Sequence, residues 1–106
     1  MPTSHELAEK LAGLASRVND LAVETTGARS RVLVDLQDRL SDMALAAIAA
    51  ALDEETTQYE QAVKALDRAI EEIGDETAAV AQVTRIITLV GKAADLAEGI
   101  LKSAAV

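Results

Sequence analysis

Leu7, Leu11, Leu14, Val18 and Leu21 follow one another at alternating steps of four and three, the spacing that keeps side chains on one strip of a helix packed lengthwise against others. Ahead of them Thr3 and Glu6 form a capping box: the hydroxyl accepts from one orphan backbone N–H and the carboxylate reaches back to another. The pattern fades at Glu24-Thr25-Thr26-Gly27, where two β-branched residues meet a glycine, and glycine inside a helix costs ~1 kcal/mol relative to alanine. These signals predict a first helix over residues 4–25.

A second seam runs Val32, Leu36, Leu40, Met43 and Ala47, and a third runs Leu45, Ile48, Leu52, Tyr59, Val63, Leu66, Ile70 and Ile73. At ~100° per residue Leu45 lies ~160° round the helix from Ala47, so the buried face must rotate between the two seams. Two arrangements accommodate that rotation. In one, the chain breaks at Asp53-Glu54-Glu55-Thr56 and gives helices over 28–52 and 54–73, with Asp53 capping the second. In the other, 28–73 is a single helix of 46 residues, ~69 Å long at 1.5 Å per residue, that changes partners midway.

Ile73-Gly74-Asp75-Glu76 marks a further boundary, a glycine suited to a left-handed C′ position and an aspartate suited to capping the next helix. Gly74 is therefore expected to have positive φ, and 76–104 to run antiparallel to the segment before it. That last segment carries two apolar lines, Ala79, Val83, Ile86, Val90, Ala93, Ala97 and Ile100 beside Val80, Ile87, Ala94 and Leu101. A helix apolar over more than half its circumference is central to a bundle or shared with a second subunit. The fold class that follows is all-α, an antiparallel helical bundle of three to four helices in one domain over 1–106, completed by oligomerisation. Val80, Val83, Ile87, Val90, Ala94 and Leu101 are the expected interface, with a dimer favoured and a tetramer second.

Composition supports the helical class and removes most chemistry. Among 106 residues there are 22 alanines, one tyrosine, no tryptophan, no phenylalanine and no cysteine, a texture far from the aromatic and β-branched bias of strands. Without cysteine there is no disulfide, thiolate metal site or thiol nucleophile. The one imidazole, His5, stands in the first turn, and His5-Glu6-Leu7-Ala8-Glu9 offers only half of a zinc-type motif because position 9 is glutamate. A di-metal carboxylate bundle needs two Glu-x-x-His motifs, and His5, Met1 and Met43 are the only customary His or Met axial ligands for a haem. The paired carboxylates Glu54-Glu55 and Glu71-Glu72 are neighbours in sequence, so they point ~100° apart on a helix and do not share a proton. Phosphate-binding glycine loops and a nucleophile elbow are missing from the sequence. No cofactor and no metal are expected, and the chain reads as a non-enzyme. Tyr59, seven after Leu52 and seven before Leu66, reads as a core residue with its hydroxyl at the rim.

Charge adds one further feature. The chain carries 18 acids and 10 bases, net −8, which disfavours nucleic acid and anionic membrane surfaces as partners. Residues 53–76 alone hold nine acids and two bases, net −7, so Glu54, Glu55, Glu60, Asp67, Glu71 and Glu72 form a candidate face for a basic protein partner. Glu6–Lys10, Asp35–Arg39, Glu60–Lys64 and Glu98–Lys102 stand in the order that favours pairing one turn apart. The longest apolar run, Met43 to Leu52, is ten residues, short of the ~20 that span a bilayer. With no basic start or apolar block of a secretory signal, a cytoplasmic location is expected. The favoured function is a helical protein–protein interaction module working as a homo-oligomer. Its rival is a small acidic inhibitor, of antitoxin or immunity type, that occludes a basic site on another protein.

Overall fold

The computed structural model describes residues 5–49, 57–74 and 82–104, which form four helices and no strand: α1 (His5–Glu24), α2 (Ala28–Ala49), α3 (Thr57–Ile73) and α4 (Val83–Ala104). The leucine seam builds α1 as its spacing dictates, with Leu7, Leu11, Leu14, Val18 and Leu21 all fully buried. Burying each such side chain stabilises the fold by about 1.5–3 kcal/mol. Thr3 of the expected capping box lies outside the described residues. The amide of Leu7, in the first turn where N–H groups lack intrahelical acceptors, donates to the hydroxyl of Tyr59 on α3 at 3.2 Å.

α1 ends where the β-branched pair and the glycine stand. Thr25 Oγ1 donates to the Leu21 carbonyl at 2.7 Å and Ser30 Oγ donates to the Ala22 carbonyl at 2.9 Å, so side chains on both sides of the turn satisfy the last carbonyls of the helix. Gly27 sits between them with φ +77°, a conformation that costs other residues roughly 1–2 kcal/mol. A three-residue connection can therefore turn α2 back along α1.

The choice left open for 28–73 resolves as two helices. α2 and α3 are separate and pack on different neighbours, α2 on α1 and α4, and α3 on α4 and α1. The molecule is only 38 Å in its longest dimension, too short for the ~69 Å of a continuous helix. Residues 50–56, with the expected Asp53 cap, lie outside the described part. The seam of α2 also differs from expectation: Leu33, Leu40, Met43, Ala44 and Ala47 are buried, whereas Val32 is 42% exposed. Leu33 and Leu40 are two turns apart and share a strip, and Val32 stands ~100° away from it. Leu45 and Ile48, expected to open the third seam, are 68% and 57% exposed. From Tyr59 onward that seam holds, with Tyr59, Leu66 and Ile73 buried and Val63 and Ile70 half-buried.

Gly74 departs from expectation as well. Among the described residues the one positive φ belongs to Gly27, and α3 finishes instead in a tightened turn in which the Gly74 N–H donates to the Glu71 carbonyl at 3.1 Å. α4 starts at Val83 after a turn at Gln82, whose carbonyl accepts from the Ile86 N–H at 3.0 Å. The expected start at residue 76 and the interface residue Val80 fall in 75–81, outside the described residues.

The contacts fix how the helices run. Leu7 meets Tyr59, Lys10 meets Asp67, and the backbone of Gly13 comes near Ile70, so α1 and α3 ascend together. α2 returns along α1, and α4 returns along α3, where Arg85 meets Glu72. Two antiparallel hairpins thus lie side by side, α1 beside α3 and α2 beside α4, as a four-sided bundle around one buried cluster.

Candidate interaction surface

Three sides of this bundle are closed over by ion pairs between helices. Lys10 Nζ meets Asp67 Oδ1 at 2.6 Å between α1 and α3. Arg39 of α2 bonds Asp95 at 2.8 Å and also grips Glu98 on α4. Arg85 of α4 bonds Glu72 of α3 at 3.0 Å. The hydrogen bond that Lys10 donates to Asp67 raises its ammonium above the usual pKa, and the bonds that Arg39 donates to Asp95 and then Glu98 do the same for its guanidinium. Lys102, with Arg39 second, holds the Glu98 carboxyl at about 2. Of the pairs expected one turn apart, Glu98–Lys102 forms at 2.9 Å, whereas Lys10 and Arg39 turn to neighbouring helices, where a carboxylate on a second helix ties two elements together.

The fourth side, between α1 and α2, carries no ion pair among the described residues. It holds an open groove of about 740 Å³ lined on α1 by Ala8, Ala12, Ala15 and Ser16 and on α2 by Ser41, Ala44, Leu45 and Ile48, with Glu9 the one charged residue in its wall. Alanine and serine where two helices meet leave the recess open, because their side chains end before they fill it. Val23 at one end is 75% exposed and Val34 is 41% exposed; Leu45 and Ile48 stand at the other end. Four of the six exposed large hydrophobics among the described residues therefore belong to α1 and α2 along this side. Exposed apolar side chains thus stand at both ends of this side with Ser16, Asn19, Gln37 and Ser41 between them, and such a gathering on a small domain marks a contact surface more often than a single exposed leucine does.

The residues expected at an interface on the last helix sit differently. Val83, Val90 and Ala94 are buried inside this one chain, and Ile87 and Leu101 are half-buried against the same core. The line Ile87, Ala94 and Leu101 lies beside Glu98, which Arg39 of α2 holds, and so has α2 as its neighbour. Two apolar lines serve two flanking helices of the same chain. Two residues of the expected acidic face are committed within the chain. Asp67 and Glu72 are in ion pairs, Glu60 and Glu71 are exposed in company with the exposed bases Lys64 and Arg68, and Glu54 and Glu55 lie outside the described residues.

Sequence reasoning missed the α1–α2 side because it assigned Leu45 and Ile48 to a buried seam. One signal pointed to it: Val34, Ser41 and Ile48 recur every seven residues. No charged residue is buried among the described ones. No group of three or more potential metal ligands and no helix long and apolar enough to cross a membrane is found among them either. Comparison with protein-family models, with curated proteins and with solved structures finds no match to this chain.

Proposed function

We propose that the chain is a non-enzymatic helical interaction module that works as a homo-oligomer, with the α1–α2 side as its contact surface. The observation that carries this reading is the contrast between three sides bridged by ion pairs and one left apolar and grooved. A contact made there draws on apolar burial at about 25 cal/mol per Å². Salt screens charge–charge attraction and leaves apolar burial in place. Sedimentation of the protein at low and high salt tests the reading: association that persists at high salt supports an apolar contact, and a single-chain species at high micromolar concentration refutes the homo-oligomer. The rival, an acidic inhibitor, has less to draw on, since Asp67 and Glu72 already have cationic partners within the chain. A location in the cytoplasm remains part of the same proposal.

A further inference from the structure

Resting on that reading, we infer that the α1–α2 side takes a second copy of this chain laid antiparallel across it, in a closed two-fold pair whose axis crosses the helices at the level of Ser41. On α2 the outward strip reads Val34, Ser41, Ile48, large, small and large at even spacing. Seven residues at 1.5 Å each put Val34 ~10 Å to one side of Ser41 and Ile48 ~10 Å to the other. A two-fold axis through Ser41, perpendicular to the helices, lays Val34 of each copy over Ile48 of its mate and brings the two serines together. Ser16 of α1 lines the groove with Ser41, so small side chains occupy the middle and let the helices approach.

The area suffices. α1 and α2 are each ~30 Å long, and the bundle is 20 Å across. A flat footprint of ~600 Å² per copy results, ~1,200 Å² in total, at the lower edge of standard interfaces before the relief of the side chains is added. A two-fold contact uses the same patch on both partners and so stops at two chains.

The chain contains no cysteine, so single introduced thiols report on register. Ser41→Cys is expected to oxidise to a covalent dimer in high yield, since a disulfide needs Cα atoms within ~7 Å. Val34→Cys, whose copies lie ~20 Å apart in this pairing, is expected to stay unlinked alone and to link when mixed with Ile48→Cys. Ile48→Glu, at an exposed position, is expected to keep the parent's circular dichroism and weaken association at least tenfold. A parent that sediments as one chain at high micromolar concentration overturns both the homo-oligomer and this pairing. A parent that associates, with Ile48→Glu associating equally well or Ser41→Cys failing to link, overturns the pairing alone, as does a species of more than two chains.

Discussion

Tyr59→Phe removes one oxygen from the core and leaves the ring. In the parent that oxygen accepts the Leu7 N–H at 3.2 Å, with Leu7 fully buried and Tyr59 only 3% exposed. The deletion strands a first-turn donor that has no carbonyl four residues earlier inside the helix. A net hydrogen bond contributes ~0.5–1.5 kcal/mol and a stranded buried donor costs ~1–3 kcal/mol, so the variant is expected to lose about 1–2 kcal/mol. For a domain near this size, each 1 kcal/mol lowers the melting temperature by roughly 4–8 °C. The assay is thermal and urea unfolding followed by far-ultraviolet circular dichroism, because Tyr59 is the chain's sole aromatic residue and its own absorbance is lost with the hydroxyl. Amide exchange at Leu7 gives a local readout and should accelerate more than that at Leu14. A variant that melts within a degree of the parent, with Leu7 exchange unchanged, would refute the claim that α3 caps α1 through this phenol.

Gly27→Ala is expected to destabilise by about 1 kcal/mol, because the positive φ disfavours a Cβ. A Cβ there would touch nothing within 4 Å, so backbone strain is isolated from crowding; urea unfolding that finds the variant as stable as the parent rules out the left-handed turn. Glu98→Gln tests the link between α2 and α4. A carboxyl held at about 2 in the fold and near 4.3 when unfolded contributes stability that is fully present above the unfolded value and is lost as pH falls through the folded one. The parent should therefore lose more stability than Glu98→Gln between about pH 5 and pH 2, and parallel acid-unfolding curves would remove the ion pair's role.

How much of this was legible in the chain depended on side-chain size and on sequence distance. The α1 seam could be read outright, since five long apolar residues on one strip leave no other face to bury. Val32-Leu33-Val34 could not, because three apolar residues in a row fit several rotations of a helix, and only the helix packed alongside selects Leu33. Gly27 and Gly74 looked alike as helix-ending glycines, yet just the first adopts the left-handed conformation. The Tyr59–Leu7 bond spans 52 residues and the Arg39–Asp95 bond 56. A rule built on neighbours one turn apart sees neither. Local periodicity places residues on faces, and tertiary contact then decides which polar atoms on those faces meet.

Leu45 and Ile48 show why the α1–α2 groove escapes such reading and why it is separable from the fold. Helix periodicity treats every long aliphatic side chain as a claim on the core, but the core closes without these two. The buried cluster already runs through all four helices, and Ala44 and Ala47 supply α2's inward contact at that end. Small residues facing inward let the helices lie close, and the larger ones are left on the groove's edge. Alanine in the seam therefore has two consequences, a compact bundle and an unfilled recess on its outer side. Substitutions at Leu45 and Ile48 act on that recess, whereas substitutions at Leu33 and Leu40 act on the bundle itself.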